Sequence, residues 1–375
     1  MRIAVDAREL TGRPTGVGRY LSELIARWAD SADALRHEWR FYAPTAPAVP
    51  EAFAPGVRPV SGGGGGTRWE QWSLPRALAA DRPDILFAPG YTAPFTAPCP
   101  TIVTIHDVSF AAHPEWFSLR EGARRRTLTA WSARRAKLVL TDSAFSRDEI
   151  VRHLGIPAAK VRVVTLGMTM PSTPANREGS GTQAGVLPTQ QPMVLFVGSI
   201  FRRRHVDRLV AAFVNDVARR VPESRLEIVG ENRSHPPIDL DEPLRACPPD
   251  VAARVMLRSY VDEPTLADLY ARASVFAFPS EYEGFGLTPL EALARGVPPI
   301  VLDTPIAREV YGPAARYVPM DLSDTEPLAH AMVELLQSPV AREKILAHAP
   351  AILARYDWQR TATETLRAIE EAGGA

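Results

Sequence analysis

Short, nearly continuous apolar runs recur along this chain, and stretches with helical spacing separate them. In the first half the runs cover residues 3–7, 39–42, 85–88, 101–105, 138–141 and 161–164. A helix is expected over 18–29, with Tyr20, Leu21, Leu24, Ile25 and Trp28 on one face, and others over 119–136 and 146–154. An apolar run without polar alternation suits a strand covered on both faces, as in a parallel sheet. Strand and helix in alternation therefore predict α/β units. Residues 168–192 break the pattern, being rich in Pro, Ser, Thr, Gly and Gln, and read as an interdomain linker. The alternation then resumes, with strands expected at 194–197, 226–229, 255–257, 275–278 and 299–302. Helices fit 205–217, 266–273, 287–295 and 329–336, and an amphipathic helix fits 358–371. The expected organisation is a first α/β domain over 1–167, a linker over 168–192, a second α/β domain over 193–355 and a tail over 356–375.

At 375 residues, 46% of them apolar and 23% charged, the chain is long and apolar enough for two cores and is not a disordered polymer. Its 43 basic and 43 acidic residues cancel, which excludes a chain-wide nucleic-acid footprint. The cancellation hides a split. Residues 1–167 carry 22 basic and 16 acidic residues, and residues 168–375 carry 21 and 27. Only Lys137, Lys160 and Lys344 are lysines, so the positive charge is almost all arginine. Cys99 and Cys247 stand far apart, each near proline, and offer neither metal spacing nor a disulfide framework. The N-terminus is apolar for too short a stretch to be a signal peptide, and no run of about 18 apolar residues occurs. A cytoplasmic protein, at most peripheral to the inner face of a membrane, is expected.

The most informative segment runs from Ser280 to Pro298. A strand ends near Phe278, a loop with Gly284 and Gly286 follows, and a helix begins near Leu287. Ligands of open α/β sheets bind at such strand ends. The amides of Phe285, Gly286, Leu287 and Thr288 at the helix start favour an anion such as phosphate. Glu283 precedes this anion site and Glu291 follows it eight residues on. Carboxylates accept hydrogen bonds from hydroxyls, so the pair suits a ligand with hydroxyls on both sides of a diphosphate, such as a nucleotide sugar. Glu281 is set aside, because Pro289 stands eight residues after it. The plainer reading is a glycine loop with a glutamate that complements the helix dipole.

Three further segments carry chemistry. Val197 to His205 places Ser199, Arg202, Arg203 and Arg204 between a strand and a helix, a cationic rim able to grip phosphate, or else a solvated basic turn. Gly16-Val17-Gly18-Arg19-Tyr20 fits a dinucleotide fingerprint poorly and reads as a glycine hinge at a helix start. His106 and Asp107, at the end of the 101–105 run, read equally as a functional or a structural pair. No nucleophile elbow, zinc-protease motif or Walker motif occurs, and Asp239-Leu240-Asp241 reads as surface.

Taken in series, these blocks resemble the retaining glycosyltransferases of family 4, including bacterial mannosyltransferase-type members. Glu283 and Glu291 match the E-x7-E motif of that family. Gly16–Tyr20, Trp69-Glu70-Gln71, His106–Phe110, Ser143–Ser146, Val197-Gly198 and Gly296-Val297-Pro298 resemble family blocks in the expected order. The resemblance implies the GT-B fold: two Rossmann-like, doubly wound parallel-sheet domains facing a central cleft, with the 356–375 helix packing back toward the first. It implies a donor nucleotide sugar held by the second domain and an acceptor held by the first. Glu291 would hold the ribose, Glu283 the donor sugar, and Ser199, Phe285, Gly286, Leu287 and Thr288 would line the donor site. Arg203 and Arg204 would neutralise the leaving diphosphate, His106 would sit against the donor sugar, and Gly16 and Gly18 would flank the donor. The family usually has Arg-Lys-Asn where this chain has Arg203-Arg204-His205.

The expected activity is transfer of a hexose, mannose favoured, to a glycan, lipid-linked or small-molecule acceptor. GDP-mannose is the favoured donor and a UDP-hexose the next. No metal or other cofactor is expected, because arginines and helix amides supply the charge that a cation would. The alternatives are a glycan phosphorylase or nucleotide-sugar epimerase of the same fold, and a non-catalytic nucleotide-sugar binding protein. Residues 119–137 hold seven cations against Glu121, and read either as a membrane-docking amphipathic helix or as a solvated face.

Overall fold

The computed structural model describes residues 1–12, 16–62, 64–170 and 192–374. Most of the expected linker lies outside the described residues. The chain divides into two units, one of residues 1–167 with 356–375, the other of residues 168–355.

The first unit is built on a parallel sheet of seven described strands: β1 (Arg2–Asp6), β2 (Glu38–Ala43), β3 (Val57–Pro59), β4 (Ile85–Ala88), β5 (Thr101–Thr104), β6 (Leu138–Thr141) and β7 (Val161–Val163). Their order is β3-β2-β1-β4-β5-β6-β7, so the topology switches direction between β1 and β4. Ile3, Val5, Phe41, Ile85, Phe87, Ile102 and Val103 have no exposed surface, because helices cover both faces of the sheet. Ile3 pairs with Trp39 on one side and Ile85 on the other.

Helix α1 (Gly16–Ala29) buries Tyr20, Leu21, Leu24, Ile25 and Trp28, the stripe its spacing predicts. Helix α2 (Leu119–Arg135) starts at Ser118, whose side chain accepts from the Glu121 amide. Helix α3 (Ala144–Leu154) is capped the same way by Ser143 and ends at Gly155 in the left-handed region, φ 64°.

The second unit repeats the plan with β8 (Met193–Val197), β9 (Arg225–Val229), β10 (Val255–Arg258), β11 (Val275–Phe278), β12 (Pro299–Leu302) and β13 (Arg316–Val318). The order β10-β9-β8-β11-β12-β13 puts its switch between β8 and β11. The helix expected over 205–217 is divided. His205 adopts φ 44°, helix α4 (Val206–Ala212) follows, and Phe213–Val217 forms a wider π turn. Helix α5 (Leu287–Ala294) follows β11, and helix α6 (Pro305–Tyr311) follows β12 with Thr304 as its cap.

The C-terminal helix α7 (Trp358–Gly373) belongs to the first unit. The Trp28 indole donates to the Ala362 carbonyl at 3.0 Å, and the Thr361 hydroxyl to the Thr165 carbonyl at 2.7 Å. Any Cβ on Gly167 would lie 2.2 Å from the Trp358 nitrogen, so only glycine lets the helix start this close.

Candidate active site

In each unit the polar side chains of interest follow the carboxyl ends of the strands at or beside the switch point, where ligands of open α/β sheets bind. In the second unit two loops meet there. The first leaves β8 through Gly198, at φ 143°, where a Cβ would strike the Arg204 guanidinium at 2.8 Å. The second leaves β11 through Ser280. The Glu281 amide donates to the Arg203 carbonyl at 2.9 Å and ties the loops together.

An ion pair lies on top of that tie. Arg204 Nε donates to Glu283 Oε1 at 2.7 Å, and its Nη1 donates to the Ser199 carbonyl at 2.9 Å. The guanidinium also lies over the Phe278 ring, 4.9 Å from its centre. The Ser280 hydroxyl donates to the same Glu283 oxygen at 2.9 Å. Burial alone would raise the Glu283 pKa. The charges of Arg204 and Arg203 and these two hydrogen bonds outweigh it, so the carboxyl is held below its ordinary range and stays ionised. Arg203 stands over the Phe201 ring at 4.5 Å, and its Nε is buried with no hydrogen-bond partner among the described residues.

The Arg-Arg-His sequence has a backbone reason. His205 sits in the left-handed region, where Asn, Asp and His are the side chains tolerated best. Its ring is held by Glu281 at 3.0 Å. Glu281, set aside on spacing, therefore acts as an anchor for this turn.

Past Glu283 the chain turns through Gly286, φ 90°, into α5. A Cβ there would lie 2.2 Å from the Tyr311 hydroxyl, which donates to the Gly286 carbonyl at 2.8 Å. Among the described residues no side chain caps α5 at its N-terminus. Leu287 and Thr288 occupy its first turn, and Glu291 is buried in its second. Sequence reasoning gave Ser280, the first residue of its most informative segment, no role, and missed Tyr311; each acts through a single hydroxyl.

In the first unit His106 follows β5. Its Nδ1 meets Asp142 Oδ2 at 2.8 Å, and its Nε2 lies 3.0 Å from the Pro89 carbonyl. A carbonyl only accepts, so Nε2 carries a hydrogen, and Nδ1 shares its hydrogen bond with the Asp142 carboxyl. Burial would lower the His106 pKa, but Asp142 overrides it and the direction is up. Tyr20 and Tyr91 stand edge-on to the ring, 5.0 and 5.6 Å between centres. Asp107 instead caps the turn behind it, accepting from the Ser109 amide and hydroxyl.

At the first unit's own switch point Arg8 bridges two buried carboxylates, Asp6 at 3.3 Å and Glu70 at 2.6 Å. Thr92 donates to Glu70 at 2.5 Å, and Gln71 accepts from the Phe95 amide at 2.8 Å. The Trp-Glu-Gln block thus fixes the loop after β4. Gly16 and Gly18 are the first and third residues of α1, and only Gly18 is buried. Among the described residues, no three His, Cys, Asp or Glu side chains are grouped as metal ligands would be.

Two family models match this chain. A glycosyltransferase family 4 domain covers residues 14–169, and a glycosyl transferases group 1 domain covers residues 191–338. The chain belongs to the family 4 glycosyltransferases. It is 28% identical over 286 residues to the O-antigen chain mannosyltransferase B of Escherichia coli, a match covering 72% of this chain and 70% of that one. It is 30% identical over 193 residues to a phosphatidyl-myo-inositol mannosyltransferase of Mycobacterium tuberculosis, covering 50% of this chain and about half, 49%, of that relative. The Anabaena protein Alr3699/HepE, solved in complex with UDP-glucose, shares the fold with a TM-score of 0.70 at 17% identity, over 98% of this chain and 100% of that one. The glycosyltransferase thus carries the GT-B pair of parallel-sheet domains, with α7 returned to the first.

Proposed function

We propose that this glycosyltransferase moves a hexose, with mannose favoured, from a nucleotide sugar to a hydroxyl of a glycan, lipid-linked or small-molecule acceptor, with retention at the anomeric carbon. The observation that carries the reading is the Arg204–Glu283 pair at the β8/β11 switch point, with the Arg203 Nε buried beside it and without a hydrogen-bond partner among the described residues. A buried donor without an acceptor is destabilising, and a diphosphate oxygen would satisfy it. Arg203 and Arg204 then take the charge that builds on the diphosphate as its bond to C1 breaks, a role a divalent cation plays elsewhere. Ser199, the Phe285–Thr288 amides and Glu291 complete the donor site, with Glu291 on the ribose and Glu283 on the sugar. The acceptor oxygen forms the new bond to C1, and its proton passes to the departing phosphate oxygen. His106 is no base in this scheme, because both its ring nitrogens are engaged within the first unit. Its proposed role is the one the family resemblance gives it, against the donor sugar, with Gly16 and Gly18 flanking the donor. The mannosyltransferase names of the two curated relatives support GDP-mannose as donor, and the UDP-glucose complex of the Anabaena protein supports a UDP-hexose as the next choice.

A donor screen read by mass spectrometry tests this. GDP-mannose should be consumed to GDP with a mannosylated acceptor, and GDP should raise the Tm more than UDP or ADP. Phosphate-dependent release of a sugar phosphate from glycan with no nucleotide would favour a phosphorylase. Binding without turnover across a broad acceptor panel would favour a binding protein. A peripheral contact with an anionic membrane is proposed for the head of α2, where Leu119 is 92% exposed beside Arg120 and Arg124. Of the apolar residues further along that helix, Ala130 is buried and the half-buried Trp131 lies against Phe95, 3.8 Å between ring centres. Among the described residues no helix is long and apolar enough to cross a membrane. Failure to co-sediment with anionic vesicles at low salt would remove the membrane contact.

A further inference from the structure

The amino edge of the first unit's sheet holds a cleft of about 570 Å³, within the range of roughly 300–1,000 Å³ usual for small-molecule sites. It opens where β5 begins at Thr101, and Lys137 and Lys160 stand immediately before β6 and β7. Because the strands are parallel, this edge is opposite the one that carries His106. Four-residue strands at about 3.3 Å per residue separate the two edges by about 13 Å. The cations of the cleft are therefore distinct from His106, while its aromatic wall runs along the loop after β4.

Arg135, Lys137 and Lys160 line it, and no carboxylate does. Among the described residues none of the three makes an ion pair. The one polar duty found is that Lys160 donates to the Arg134 carbonyl at the end of α2. That helix end contributes about half a negative charge, against three positive ones. The excess is about two and a half charges. In this chain cations elsewhere commonly pair with acids, as Arg204, Arg258, Arg308 and Arg316 do. The wall is aromatic: Trp131 lies against Phe95, and Arg135 lies over the Trp131 ring at 4.9 Å from its centre. Two of the chain's three lysines meet here.

We infer that this cleft is a second binding site, for a phosphate or diphosphate group attached to a ring or apolar body. The three cations take the phosphate oxygens, and the Trp131–Phe95 wall takes the attached group. The same chemistry is offered by a phosphorylated sugar in solution and by an anionic lipid headgroup. At the opposite sheet edge from His106, the site holds part of a ligand without touching the reacting atoms.

The scarcity of lysine supplies a direct readout. The full chain is treated with a low dose of an amine-acylating reagent, and the rates at Lys137, Lys160 and Lys344 are followed by peptide mass spectrometry. Lys344 lies exposed in the second unit and serves as the internal reference. The probes are inorganic pyrophosphate, glucose 1-phosphate, and phosphatidylcholine vesicles with and without about one-fifth phosphatidylglycerol. Saturating glucose 1-phosphate or pyrophosphate should slow both cleft lysines about fivefold or more relative to Lys344. Protection by the anionic vesicles alone, absent with pure phosphatidylcholine, assigns the phosphate to a lipid headgroup. Trp131→Leu should weaken protection by glucose 1-phosphate more than by pyrophosphate. Unchanged rates in every arm, or rates that fall in step with Lys344, would overturn the site.

Discussion

At the scale of single residues, the buried polar groups tell more than the exposed ones. Asp6 ends β1, is 2% exposed, and shares Arg8 with Glu70. One guanidinium serves two carboxylates. Burial pushes the Asp6 pKa up to about 6, with Arg8 opposing and Glu70 assisting. A group whose folded pKa is raised stabilises the fold below its unfolded pKa and loses that contribution as pH rises through the folded value. Wild type should therefore lose up to about 3 kcal/mol from this group between about pH 4 and pH 6. Asp6→Asn should remove that component. Urea unfolding at several pH values checks it, and parallel pH profiles for the two proteins would contradict it.

The same scale shows what the sequence withheld. Gly286 is legible as a loop glycine, but its reason, a hydroxyl of Tyr311 from an element 25 residues on, is not. His106 is legible as a strand-end histidine. That both its nitrogens are engaged follows only from Asp142 and Pro89, brought to it by β6 and by the loop after β4.

At the scale of elements, strands of four or more residues were largely legible, because burial on both faces leaves an unbroken apolar run. Residues 85–88, 138–141, 275–278 and 299–302 were read with the bounds the fold gives them. Two of the three described three-residue strands, Val57–Pro59 and Arg316–Val318, were missed, while Val161–Val163 was read one residue too long. Both missed strands lie at sheet edges, where a polar or proline residue costs no core contact. The helix beginning at Leu74 was missed too, since a π turn at Trp69–Ser73 shifts its register.

The loops after β8 and β11 behave as one element, held by the Arg204–Glu283 pair, each side chain about 15% exposed. Arg204→Gln leaves a buried carboxylate without its main partner and should cost about 3–5 kcal/mol. The double variant Arg204→Gln, Glu283→Gln should recover part of that loss. Denaturant midpoints measure both, and an Arg204→Gln protein as stable as wild type would show that the pair does not hold the loops.

At the scale of the molecule, two sheets with their own switch points stand in two units, and the chain's neutrality is a cancellation between its halves, +6 against −6. The two units divide at residue 168, where the Pro, Ser, Thr and Gly run begins that has no apolar period. The return of α7 to the first unit was not readable from periodicity. It depends on Gly167 admitting Trp358, a contact 191 residues apart in sequence.

The central claim is that the second unit binds the donor diphosphate through Arg203 and Arg204 at the β8/β11 switch point. Arg203 is the cleaner probe, since its buried Nε makes no hydrogen bond among the described residues and Arg203→Gln leaves the Arg204–Glu283 pair in place. Calorimetric titration of GDP into wild type and Arg203→Gln is the direct measurement. A charge-assisted hydrogen bond of about 1.5–3 kcal/mol predicts a Kd raised about tenfold to a hundredfold. An unchanged Kd would contradict the account.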